Sequence, residues 1–420
     1  MQQGSSASIN VSSLKISKSE ASKSPAGLVW AYRVLWFTFI MFFLSTGLGK
    51  LWDRVWHLTH RFDTFWSPPH LFVSTMTATT GFLVITLAFL PYFRSWFGPF
   101  IHLPLINVKV AGSLVLLGGS LVSLSTSIML DFFWHTVFGF DETQWSLPHN
   151  MIVMSWLLII LGFVSCRLAF CQYRPLSWLT NLVLAMLILG FLCPAILGPF
   201  YLNYSPNLLH ALASVPVNLA QASVRHLYRI YFASQLSRQT NPLFIPFVTF
   251  FAGIALALLR SLDGRARIFL LAPLLWSLIF MVRDWYTLYF LHYHGVTHIK
   301  DLLPVLLQEP SLWVPIPLFP AAVIDLVLCK LSVSRLWKEM TTGAIFGVLV
   351  FFIWNSSPVM ILLAIPAAPL MVLSSTIGRW IYRVLEKPMW ADIWIFLFTA
   401  CAELPACFGI IDLILRKTIP

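Results

Sequence analysis

Two stretches of the chain place carboxylate and imidazole side chains at matched spacing. The first reads Asp53-Arg-Val-Trp-His57, then Phe62-Asp63, then Trp66-Ser67-Pro68-Pro69-His70. The second reads Asp131-Phe-Phe-Trp-His135, then Phe140-Asp141, then Trp145-Ser146-Leu147-Pro148-His149. In both, a His follows the Asp by four positions, Phe-Asp ends six positions after that His, and Trp-Ser-x-Pro-His closes the motif. The second copy carries one extra residue before its Trp. Two imidazoles and a carboxylate form a recognised facial set for a transition metal, and imidazole suits zinc, copper and iron. Asp53, His57 and His70 are thus one candidate metal set, and Asp131, His135 and His149 a second. A ligating imidazole donates its other N–H to a carboxylate or carbonyl, and Asp63 and Asp141 are the natural partners. A plainer reading stands beside this one. Interfacial His and Asp lie close to water, and Ser67 or Ser146 ahead of a proline suits helix capping.

The elements that position these residues follow from their spacing. An Asp and a His four apart near a helix end share a face, with Cβ atoms about 5–6 Å apart. Pro just before the last His suits the first turn of a new helix. Each motif therefore reads as the end of one helix, a loop and the start of the next. The two copies are 78 residues apart, an internal repeat.

The rest of the sequence supplies the surroundings. Residues of the AVILMFWYC group make up 58% of the chain and charged residues 10%, where a soluble domain is about 25% charged. The apolar residues come in blocks long enough to cross a hydrocarbon core of about 30 Å. The 18 Trp and 35 Phe suit lipid-facing surfaces and interfacial belts. The sequence predicts an all-α polytopic membrane bundle of about ten to twelve transmembrane helices. Blocks run near 27–51, 69–93, 108–133, 151–171 and 178–201, then near 204–233, 242–260, 267–291, 311–332, 342–355, 357–377 and 390–414. The pair 342–355 and 357–377 is read as broken at Asn355-Ser356-Ser357-Pro358.

Three regions follow: a Ser- and Lys-rich disordered cytoplasmic tail over 1–26, the repeat-bearing helices over 27–175, and further transmembrane helices over 176–420. Lys15, Lys18, Lys23 and Arg33 flank the first block, Arg94 and Lys109 stand between the second and third, and Arg167 and Arg174 follow the fourth. Between the third and fourth blocks there is no Lys or Arg. The positive-inside bias then puts the N-terminus in the cytoplasm and both motif loops on the extracytoplasmic face. Arg54 and Arg61 oppose this mildly. The net charge of +11 belongs to this loop bias rather than to nucleic-acid binding.

The spacing Asp-x3-His-x12-His of Asp53, His57 and His70 resembles the first metal site of the C subunit of particulate methane and ammonia monooxygenases. The second site of that family has Asn-x3-His-x13-His, and Asp131, His135 and His149 match its spacing with Asp in the Asn position. The resemblance covers only about residues 50–150 of 420. It implies copper, held near the extracytoplasmic ends of helices in a complex that oxidises a hydrocarbon or ammonia. The chain is longer than that subunit and carries no cupredoxin-like domain.

Weaker candidates are His292, His294 and His298, flanked by Asp284 and Asp301, with Gly295 interrupting any helix between them. Asp325 and Glu403 fall inside apolar blocks, where a carboxylate is either functional or paired with a neighbouring helix. Cys166, Cys171, Cys193, Cys329, Cys401 and Cys407 contain no C-x-x-C pair and read as small buried hydrophobes. No Walker A and no Gly-x-Ser-x-Gly motif occurs. Two functional readings remain open. One is a membrane metalloprotein, with copper (or iron or zinc) activating O2 against a small apolar substrate, alone or with other membrane subunits. The other is a non-enzymatic transporter or structural subunit of a membrane complex.

Overall fold

The structure is a computed structural model. It describes residues 25–49, 51–53, 56, 64, 66–103, 106–138, 147–173, 177–191, 244–262, 268, 270–276, 278–279, 282, 289, 315–353, 362 and 365–398. The N-terminal tail, all of 192–243, the expected break after Ile353 and everything beyond Phe398 lie outside the described residues.

Helix α1 (Pro25–Phe43) opens on a proline, whose missing N–H costs nothing in a first turn. It widens into π-helical turns over Leu44–Gly49 and continues as helix at 51–53, so that Ala26–Asp53 is one span. Helix α2 (Pro68–Phe89) begins with Pro68 and Pro69 in its first turn. It stops at Leu90, which is extended at φ −78° and ψ 117°, because the ring of Pro91 disfavours helical backbone in the residue before it. The sequence expectation carried this helix to Phe93. Residues Pro91–Arg94 form instead a separate single turn.

Between α2 and the next helix lies an antiparallel hairpin, β1 (Phe100–Leu103) and β2 (Val108–Ala111), in register Phe100↔Ala111 and Leu103↔Val108. Asn107 makes the turn at φ 51°, a left-handed conformation that Asn tolerates. The hairpin corrects the expectation of a helix from Val108. The β-branched Val108 and Val110 flank Lys109 in an alternating pattern that a partner strand can pair. Helix α3 (Gly112–Phe138) starts only where the Gly112 N–H closes the hairpin on the Pro99 carbonyl, at 3.0 Å.

Helix α4 (Leu147–Ala169) returns antiparallel along α3. Helix α5 (Trp178–Ile188) is capped by Ser177, whose hydroxyl accepts the Thr180 N–H at 3.2 Å. Then come α6 (Phe244–Leu262), α7 (Pro315–Lys330), α8 (Arg335–Ile353), α9 (Ala367–Glu386) and α10 (Trp390–Phe398). Helices α6 and α9 pack closely because Gly378 lacks a side chain: a Cβ there would meet the Ile254 carbonyl at 2.8 Å. The Ser165 hydroxyl donates to the Leu385 carbonyl at 2.8 Å, tying α9 to the end of α4 near the hairpin.

Among the described residues four helices are long and apolar enough to cross a membrane: Ala26–Asp53, Pro68–Phe89, Gly112–Trp134 and Met151–Ala169. Two shorter apolar helices, Trp178–Ile188 and Val248–Leu262, accompany them. Large apolar side chains face outward along these helices, among them Trp30, Phe37, Phe82, Ile85 and Val122. Apolar surface on that scale fits a lipid surround better than water.

Candidate functional site

The first motif sits where the end of the α1 span meets the start of α2. Asp53 closes the span, and His70 is in the first turn of α2. The two are brought together by close packing just below them. A Cβ on Gly49 would lie 2.5 Å from Val73 Cγ2, so the π-helical segment approaches α2 at a distance only glycine allows. One turn deeper the Ser45 hydroxyl donates to the Val73 carbonyl at 3.1 Å and stands 3.0 Å from the Thr77 hydroxyl. Both residues are buried, which makes this contact a polar staple between the helices.

Above the staple, His70 Nε2 lies 2.7 Å from Asp53 Oδ1, and the aspartate is buried. On the other side of the ring, Nδ1 is 2.8 Å from the Thr64 carbonyl oxygen. A carbonyl can only accept, so Nδ1 carries the hydrogen. Nε2 therefore faces the carboxylate with its own lone pair or with a second proton. Two oxygen and nitrogen lone pairs at 2.7 Å repel unless a cation or a proton lies between them. One ring nitrogen is thus fixed by a backbone carbonyl, and the other faces a buried carboxylate as in a His–Asp ion pair.

Thr64 was not marked by sequence. Its contribution is a main-chain oxygen, which no residue type announces. That oxygen also accepts from the Ser67 N–H at 3.0 Å and the Ser67 hydroxyl at 2.8 Å. Ser67 does occupy the N-cap position of α2, yet its side chain makes no capping bond. Pro69 offers no N–H at the second helical position, and the hydroxyl donates instead to the Thr64 carbonyl. For Ser67 the capping reading is right about the position and wrong about the bond, and Ser146 lies outside the described residues.

The second motif is placed on corresponding elements. Asp131 and His135 are on the last turns of α3, and His149 is in the first turn of α4. This hairpin too has a buried hydroxyl staple, Ser123 to Ser155 at 2.7 Å. Ser45 and Ser123 each stand eight residues before the aspartate of their motif. His57, Asp63, Asp141, His292, His294, His298, Asp284, Asp301 and Glu403 lie outside the described residues, as do the side chains of His135 and His149. Among the described residues no three His, Cys, Asp or Glu side chains converge on one point.

Asp325 is paired with neighbouring helices. Its Oδ2 accepts from Arg260 of α6 at 2.6 Å, and its Oδ1 is 3.6 Å from Lys338 of α8. Cys166 is buried, as its sequence setting suggested, whereas Cys329 is exposed. Comparison with protein-family models, curated proteins and solved structures finds no match for this chain.

Proposed function

We propose that the chain is a metal-binding integral membrane protein of about ten to twelve transmembrane helices, with its N-terminus in the cytoplasm and its two motifs on the opposite face. In this reading Asp53, His57 and His70 hold one ion, and Asp131, His135 and His149 form a second, related set in a parallel repeat. The observation that carries it is the His70 ring, pinned at Nδ1 by the Thr64 carbonyl while Nε2 faces the buried Asp53 carboxylate at 2.7 Å. The matching hydroxyl staples in the two hairpins support the repeat. The donor set suits copper, which the resemblance to the monooxygenase C subunit also favours, and iron or zinc would fit the same atoms. A bound copper ion supplies redox chemistry toward O2. The chain's own residues would position it at the rim of an apolar bundle open to a small apolar substrate.

The same contact favours a second reading, a proton-coupled transporter or structural subunit. A carboxylate and an imidazole 2.7 Å apart hold a proton as readily as a metal, and intramembrane ionisable pairs serve proton relays. Metal analysis of purified protein separates the two. Stoichiometric copper, iron or zinc in wild type that is lost in His57→Ala supports the metal site. His135→Ala reports on the second set in the same way. Absence of metal from protein purified without chelators gives the proton reading precedence.

A further inference from the structure

At the other end of the bundle, three helix ends bring charged side chains together. Arg260 is in the last turn of α6, Cys329 is the penultimate residue of α7, and Arg335, Lys338 and Glu339 are in the opening turns of α8. Arg379 reaches in from α9. These six residues line a cavity of about 480 Å³. It lies toward the hairpin face, since α9 runs on from Arg379 to Leu385, bonded by Ser165, and is followed by Pro388, which packs on Gly112.

The charges around this cavity do not balance. Asp325 serves Arg260 at 2.6 Å and Lys338 at 3.6 Å. Glu339 Oε1 serves Arg335 at 3.2 Å and also Arg379. Among the described residues four cations thus share two carboxylates, which leaves two positive charges over. Lys338 is only 8% exposed and the Arg379 side chain 24%, so water screens the inner part of this excess poorly, whereas the Arg260 and Arg335 side chains, 38% and 54% exposed, reach water. Uncompensated charge taken out of water is costly unless an opposite charge is supplied. In addition, an Arg260 Nη2 N–H and the Lys338 ammonium, the latter at 3.4 Å, are turned to the Cys329 sulfur, a weak acceptor.

We propose that this cavity binds a phosphoryl group, with Arg260, Arg335, Lys338 and Arg379 as its donors. Guanidinium forks match the oxygen pairs of phosphate, and lysine adds a point charge. The surplus of two charges equals what a phosphate monoester brings. The volume leaves room for an organic remainder on the group. A basic pocket among helix ends is where lipid phosphates lie, and a phosphorylated small molecule would present the same chemistry.

The test melts purified full-length protein in neutral detergent against inorganic phosphate, with chloride at equal ionic strength as control. In parallel the protein is melted in phosphatidylcholine nanodiscs with and without phosphatidylglycerol. A saturable rise in melting temperature with phosphate but not chloride indicates a soluble phosphorylated ligand. A rise only with phosphatidylglycerol indicates a lipid headgroup. In either case Arg379→Gln and Arg335→Gln weaken the response about tenfold, the loss of one charge-assisted contact. The Arg335 side chain is 54% exposed, so Arg335→Gln keeps the test valid if Arg379→Gln fails to fold. A wild type indifferent to both probes, a response that chloride reproduces, or one unchanged in both variants overturns the proposal.

Discussion

His70 Nε2 stands 2.7 Å from Asp53 Oδ1, although the two residues belong to different membrane-length helices. The contact closes the gap between the end of one span and the start of the next. Because Thr64 fixes the opposite ring nitrogen as a donor, whatever lies between Nε2 and the carboxylate must be positive.

Replacing either partner therefore removes the reason for that positive species. For the copper site proposed above, Asp53→Asn and His70→Ala are each expected to lower copper affinity by at least about tenfold, since even indirect supports of a ligand are worth that much. Equilibrium dialysis of purified protein against buffered copper measures it. Equal affinities in wild type and both variants would remove these residues from the metal site.

The two hydroxyl staples make a paired expectation. Ser123→Ala leaves the buried Ser155 hydroxyl without its partner and is expected to cost about 1–3 kcal/mol. The double change Ser123→Ala with Ser155→Ala should cost less than the sum of the single changes, because both polar groups are then gone. Unfolding in mixed micelles, read as a double-mutant cycle, gives the coupling. The Ser45 and Thr77 pair should behave alike, although Ser45 keeps a second acceptor in the Val73 carbonyl.

Packing at Gly49 can be tested apart from the ligands. Gly49→Val is expected to push the π-helical segment away from Val73 and cost about 1–3 kcal/mol, the usual range for overpacking. Its metal affinity should fall with that of His70→Ala while the overall helix content by circular dichroism stays. Normal metal affinity in Gly49→Val would show that the approach of the two helices does not set the site.

Sidedness follows from the helix count between the motifs. Thr64→Cys and Thr143→Cys should react with an impermeant maleimide from one face, and Asn107→Cys at the hairpin turn from the other. Opposite labelling of the two threonine positions would dissolve the parallel repeat.

The membrane-length helices were legible because their signal is length and composition, which local neighbours do not alter. Pro68, Pro69 and Pro91 also fixed two helix boundaries in the sequence, though the Pro91 break was passed over for the aromatic Tyr92 and Phe93 that follow it. The hairpin was missed because four-residue strands are too short to outweigh an adjoining apolar run, and only the pairing of Val108 with Leu103 reveals them. At the first motif the sequence marked Asp53 and His70, which the structure brings to 2.7 Å, and did not mark the Thr64 carbonyl. The cluster around Arg260, Lys338 and Arg379 was illegible for another reason: its members come from α6, α8 and α9, far apart in sequence, and only the fold adds their charges together.

The π-helical turns over Leu44–Gly49 act as a phase shifter. One residue more or less rotates everything after it by about 100° around the helix axis. Asp53 comes four residues after this segment, so its bearing toward His70 is set by how the turns are wound. If Leu44–Gly49 tightened to ordinary α-helix, the carboxylate would swing away from the ring without any change in the residues themselves. The backbone at Gly47 and Gly49 thus holds an angular setting for the pair, as a screw thread sets where a pointer stops.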